Sequence, residues 1–298
     1  MLHILKQVWF SRIARILSNC ILLTLIKFLR EVFMPVLNFI ETHRYAYPVT
    51  TDGTGTALTT CLYSGDPMLA FLTQTGYEDE VVYLALGFDY EYTRHDTPPG
   101  RDIISGMGYN PNSREIWCGS TTSDSGLVFA FDPTTGLETQ SLDLTADTSF
   151  SSPQGFATNG LLFTRSKGAN IELRLMNGTK LAERSFPGRI INGISASPFS
   201  WTFVDSSTNE IVVIGPFGNE IATAATPGTN GGSSAIAFNT VANVANDPQV
   251  WLEPGIIGDP GTIHHPDTPW SPSPWMGRHR LYVANDTDQI IYAGYLSP

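Results

Sequence analysis

At 298 residues the chain has room for one large domain or two ordinary ones, and turn-forming residues spread evenly after about residue 40 favour one. Only 15% of the residues are charged, while Gly, Pro, Ser, Thr and Asn abound, a composition suited to many tight turns and little exposed helix. The formal charge of -11 repels phosphate backbones and sets nucleic-acid partners aside. Three cysteines, Cys20, Cys61 and Cys118, form neither a disulfide framework nor a metal cluster. Cys118 sits in a strand pattern as a small buried hydrophobe, and a Cys61 to Cys118 bridge is left open.

Residues 1–33 differ in kind from the rest. They are rich in Leu, Ile and Phe, lack Gly and Pro, and set Lys6, Arg12, Arg15, Lys27 and Arg30 against Glu31 alone, so they read as an apolar, basic helical extension. Lys27, Arg30 and Glu31 break the run of about 20 apolar residues that a membrane span needs, and no small-x-small cleavage site follows. Two readings stay open. The segment is an amphipathic helix that contacts a membrane or a partner. Alternatively Met34 is the native start, because Arg30-Glu31-Val32 can be encoded by AGG-GAG-GT, a bacterial ribosome-binding sequence at suitable distance.

From there one phrase recurs: a short Gly- or Ala-bearing strand, an aromatic-rich strand, an aliphatic strand and a fourth strand after a turn. It runs over Gly106 to Leu144, Gln154 to Pro187 and Asn192 to Thr226, and in broken form over Ser234 to Tyr295. The joints are Asp132-Pro133-Thr134-Thr135-Gly136, Asn177-Gly178 and Gly218-Asn219, each with the turn chemistry that a hairpin requires. A weaker copy precedes them from Ala57 to Arg94. A repeat of about 40 residues built from several short strands predicts an all-β fold, a β-propeller over residues 34–298. The count is about five blades, or six if 240–279, with Trp251, Trp270 and Trp275, hides further strands. The last copy lacks its outer strand, and Phe39 to Val49 is free to supply it, which would remove two exposed sheet edges.

Particular residues carry a resemblance to known families across residues 100–298. Leu281-Tyr282-Val283-Ala284-Asn285-Asp286 followed by Gln289-Ile290-Ile291 resembles the YVTN repeat. Asn192-Gly193-Ile194, Phe203-Val204-Asp205-Ser206 and Asn209-Glu210-Ile211 are similar to NHL and SMP-30/gluconolactonase blades, and Phe131 to Gly136 resembles quinoprotein repeats. The SMP-30 resemblance implies a divalent cation, calcium or zinc, at the channel mouth, with Asn192 and Asp205 on the matching positions. The Glu-Gly-Pro element of that pattern is missing near the start, where Glu41 and Glu78 stand in unrelated contexts.

In a propeller the loops entering the inner strand and leaving the second strand meet around one channel mouth. That gathers Ser105, Gln154, Asn192 and Ser234 with Thr121, Arg165, Asp205, Asn285 and Asp286, a polar set suited to a sugar or polar metabolite. Equally, Asp205 and Asp286 can simply organise their own turns. Tyr45, Tyr47, Tyr90 and Tyr92 alternate and either stack on a ligand or cover a blade edge. His264-His265-Pro266-Asp267 offers metal-ligating side chains, but adjacent histidines in an extended loop point apart, which favours a structural loop. Two N-x-[ST] sequons occur, at Asn177 and Asn285. No G-x-S-x-G elbow, P-loop or dinucleotide fingerprint is present. The expectation is a non-catalytic binding or structural propeller, extracellular or surface- or virion-associated, that recognises a glycan or protein and needs no cofactor. The alternative is a metal-dependent lactonase or hydrolase of the SMP-30 type.

Overall fold

A computed structural model describes residues 36–47, 55–75, 78–85, 91–99, 101, 104–120, 126–147, 154–196, 200–215, 218–238 and 281–297. Twenty strands and no helix occur among the described residues. The helical extension 1–33, the Trp-bearing stretch 240–279, the pair His264 and His265, and Tyr90 and Thr121 lie outside them.

Strand β1 is Val36–Ala46. Next come β2 (Gly55–Tyr63), β3 (Asp66–Thr75), β4 (Glu78–Ala85) and β5 (Glu91–Asp96), which form one four-stranded antiparallel sheet in chain order. A second such sheet holds β6 (Ile104–Asn110), β7 (Glu115–Ser120), β8 (Leu127–Phe131) and β9 (Glu138–Asp143). A third holds β10 (Gly155–Thr158), β11 (Leu162–Lys167), β12 (Asn170–Leu175) and β13 (Lys180–Ser185). The remaining strands are β14 (Ile191–Ala196), β15 (Trp201–Asp205), β16 (Glu210–Ile214), β17 (Glu220–Ala225), β18 (Ser233–Phe238), β19 (Leu281–Asn285) and β20 (Ile290–Ser297). Together with β1 they make an eight-stranded sheet in the order β14-β15-β16-β17-β1-β20-β19-β18. Strand β1 therefore fills the place left open beside β20, with Phe39 opposite Leu296 and Tyr45 opposite Ile291. It begins at Val36, three residues before the expected Phe39.

The joints form as their residues dictate. Asp132 Oδ1 accepts the Thr134 N–H at 2.7 Å while Gly136 N–H closes back on the Asp132 carbonyl at 2.9 Å, and Gly136 takes φ 70°, a region costly for residues with a Cβ. Asn177 Oδ1 likewise accepts the Thr179 N–H at 3.0 Å.

Why the repeated phrase opens on Gly or Ala becomes clear from the inner strands. β2 lies against β6, β6 against β10, β10 against β14, β14 against β18, and β18 against β2, a closed cycle. A Cβ on Gly106 would sit 2.1 Å from the backbone nitrogen of Phe156, and one on Gly193 would sit 2.9 Å from the Cα of Ala235. Neighbouring backbones approach too closely there for any side chain. Farther out, where the sheets diverge, large apolar side chains fill the space between them. Tyr83, Phe129 and Phe131 belong to one cluster, and Trp117, Phe156 and Phe163 to another, with the Phe156 and Phe163 rings stacked at 5.4 Å. Each full burial of this kind stabilises by about 1.5–3 kcal/mol. Cys61 and Cys118 share the first cluster as free, fully buried thiols, so the bridge left open by the sequence is not formed. Burial pushes both thiols up from their ordinary pKa, which removes thiolate chemistry from this core.

Candidate functional site

Strand alternation sends the β13–β14, β15–β16, β17–β18 and β19–β20 loops to one side of the ring. Backbone hydrogen bonds tie neighbouring loops together there: Ser206 N–H donates to the Ile190 carbonyl at 3.0 Å and Asp286 N–H to the Gly232 carbonyl at 2.7 Å. This is the side on which the sequence gathers a polar set. Ser105 lies in β6. Gln154 is exposed and accepts the Gly168 N–H at 2.6 Å, and Asn192 is half-buried at an irregularity between Ile191 and Gly193.

Asp205 is wholly buried and fully engaged. Its Oδ1 accepts the Ile190 N–H at 3.0 Å, the Ser207 N–H at 2.9 Å and the Ser207 hydroxyl at 2.6 Å; its Oδ2 accepts Arg189 Nη1 at 2.8 Å and the Thr208 hydroxyl at 2.9 Å. Burial alone would raise its pKa, but the bonds from Ser207, Ile190 and Arg189 outweigh it and lower the carboxyl from 3.8 to about 2. Arg189 also reaches Glu210 at 2.9 Å and Glu220 at 3.1 Å, so one guanidinium gathers three carboxylates of the β14–β17 run. Nothing in the sequence marked Arg189, because its partners are up to 31 residues away.

Asn285 holds the corresponding position at the end of β19. Its Oδ1 accepts the Thr287 and Asp288 N–H groups, both at 3.1 Å, and its Nδ2 donates to the Thr229 carbonyl at 3.0 Å. Being fully buried and so bonded, the Asn285 amide of the second sequon is not presented at the surface. The turn-organising role expected of Asp286 thus falls to Asn285. Asp286 instead receives the Tyr47 hydroxyl at 2.8 Å and the Ser234 hydroxyl at 2.9 Å on one oxygen. Burial first, then the Asp286 charge, pushes the Tyr47 phenol far up, so it stays a proton donor to that carboxylate. Tyr45 and Tyr47 are buried and are not ligand platforms, whereas Tyr92 is half exposed.

Arg165 is a correction. It is fully buried rather than at an open mouth, with Nε and Nη2 each 2.5 Å from Glu172 Oε1, and Glu172 is itself fully buried. Glu172 also accepts Arg174 Nε at 2.8 Å, and Arg174 reaches Asp147 beyond β9. Burial lowers the Arg165 pKa, with Glu172 opposing the shift. This network joins the β6–β9 and β10–β13 sheets, and Arg165 Nη1 approaches the Gly126 carbonyl at 3.5 Å.

The space available matters as much as the groups. Where the inner strands meet, Leu58, Met107, Phe156, Ile194 and Ile236 close the channel to a void of about 10 Å³, room for roughly one water. A cleft of about 240 Å³ lies between the β10–β13 and β14–β17 runs, lined by apolar residues such as Ile171, Phe186 and Trp201. The largest of these spaces, about 510 Å³, has a lining of mixed polar and apolar character and lies on the opposite side of the ring, among the β2–β3, β6–β7 and β8–β9 turns. Its signal in the sequence was only turn chemistry, Ser64-Gly65 and Asp132-Pro133.

The four-stranded sheets and the closed inner cycle match known folds. The glutaminyl cyclase of Myxococcus xanthus superposes with a TM-score of 0.57 over 88% of this chain and 98% of that one, at 12% sequence identity. The fold is a β-propeller. Selenomethionine-substituted virginiamycin B lyase of Staphylococcus aureus is also similar, at 11% identity, a TM-score of 0.45 and coverage of 85% and 69%. No family model and no curated protein matches the chain. At such identities the likeness to the cyclase concerns the propeller scaffold alone, on which binding and catalysis alike are built.

Proposed function

We propose that this propeller is a non-catalytic binding or structural module, extracellular or surface- or virion-associated, that recognises a glycan or protein through its loops. The observation that carries this reading is the commitment of Asp205: five hydrogen bonds occupy the carboxylate best placed to hold a metal or activate water. A central void of about 10 Å³ among the inner strands leaves recognition to the loop surfaces. The finer architecture in this reading is five blades over residues 34–298, supported by the five-membered inner cycle, with 1–33 as an extension that contacts a membrane or partner.

The competing reading is a metal-dependent hydrolase of the SMP-30 type, with Asn192 and Asp205 on calcium or zinc. It requires the cation to displace Arg189 from Asp205. Calcium and zinc titrations followed by thermal unfolding separate the two, since an ion that binds only the folded form raises the melting temperature. The binding reading expects no shift that depends on Asp205, together with retention on a glycan array or a protein partner. A metal-induced rise abolished by Asp205→Ala, with lactonase activity lost alongside, would overturn it.

A further inference from the structure

We propose that the mixed polar and apolar depression among the β2–β3, β6–β7 and β8–β9 turns binds a neutral saccharide, an inference that rests on the recognition reading and gives it a site. Its volume of about 510 Å³ falls within the range of small-ligand pockets. Ser64, Ser113, Arg114, Glu115, Asp132 and Thr134 line it, drawn from two neighbouring sheets.

The walls are braced from within. Ser64 N–H donates to the Thr134 hydroxyl oxygen at 3.1 Å across the two sheets, and Asp132 Oδ1 holds the Thr134 N–H at 2.7 Å. Glu115 Oε2 accepts Gln140 Nε2 at 2.6 Å. This leaves the second oxygen of each carboxylate without a protein partner among the described residues. Arg114, exposed, forms no ion pair among them either. On the other side, Asp205 and Arg189 satisfy one another.

The mixture selects the ligand class. Carboxylates and one guanidinium stand together, so neither a free cation nor a free anion meets a field of one sign. Vicinal sugar hydroxyls donate and accept at once, which matches carboxylate acceptors beside a forked guanidinium donor and Ser/Thr hydroxyls. Aromatic rings lie beside two of the turns that frame the depression, though none is among the residues that line it. Tyr63, next to Ser64, packs on Tyr92 at 5.6 Å and stacks with His95 at 5.8 Å, and Tyr92 is half exposed. His95 in turn lies beside Gly136 of the β8–β9 turn. Flat rings next to polar turns suit the apolar face and polar rim of a pyranose.

The test uses the full chain and saturation-transfer NMR with methyl glucoside, galactoside and mannoside, N-acetylglucosamine, lactose and maltose. Arg114→Asn keeps a residue that tolerates the left-handed backbone at φ 61°, and Glu115→Gln keeps the shape. At least one saccharide is expected to bind, and each variant to weaken it about tenfold with an unchanged melting curve. Leu181→Gln, on an exposed outer strand, is expected to change nothing. Binding that survives both site variants, or that is lost instead in Ser234→Ala, sinks this site while the recognition reading stands. No binding across this panel and a glycan array removes both the site and the glycan arm of that reading.

Discussion

On one side of the propeller Asp205 and Asn285 end their strands wholly buried, and every bond they make is turned inward. On the other side Asp132 occupies a similar turn position, spends one oxygen on Thr134 N–H, and is only half-buried. The residue types hardly differ; the depth does. A carboxylate enclosed by N–H, hydroxyl and guanidinium donors is part of the scaffold. One that keeps an oxygen at a half-exposed turn retains capacity for a ligand. The contrast separates structural from available polar groups better than residue identity, and it can be broken or sharpened by substitution.

The largest effect is expected inside the scaffold. Glu172→Ala strands the fully buried Arg165 beside Arg174 and should cost about 3–5 kcal/mol, read from the urea midpoint. Asp205→Ala comes next at about 2–3 kcal/mol, because Arg189 keeps Glu210 and Glu220. The same group sets an acid limit. Its folded pKa, about 2, lies below the ordinary 3.8, so its contribution is fully present above about pH 4 and is lost as pH falls through about 2. Acid titration of stability should therefore flatten over that interval in Asp205→Ala, and an unchanged profile would contradict the assignment. Asn285→Ala should cost about 1–2 kcal/mol through the lost turn bonds, measured by thermal unfolding. The smallest change is expected on the opposite side: Ser64→Gly relieves a φ of 51° and should stabilise by up to about 1 kcal/mol by the same assay.

Much of this was legible in the chain. The Gly- and Ala-bearing inner strands follow from backbones that nearly touch, and the Asp-Pro-Thr-Thr-Gly and Asn-Gly turns carry their geometry in their own residues. The site was less so. Arg165 falls at a mouth position by strand count, yet its side chain enters the space between two sheets to meet Glu172. Asp286 looks like a turn former, yet Asn285 takes the turn bonds and Asp286 meets Tyr47, 239 residues away. Partners so distant leave no local pattern.

Periodicity and turn chemistry are local, acting over a few residues, and by themselves they determined a repeated four-strand unit and the place of the closing strand. Which polar side chains are spent and which stay open was decided only when five inner strands closed on one another and carried some turns into the interior and others to the rim. Burial is a property of the assembled ring, and it is burial that turns a carboxylate from a binding group into a structural one.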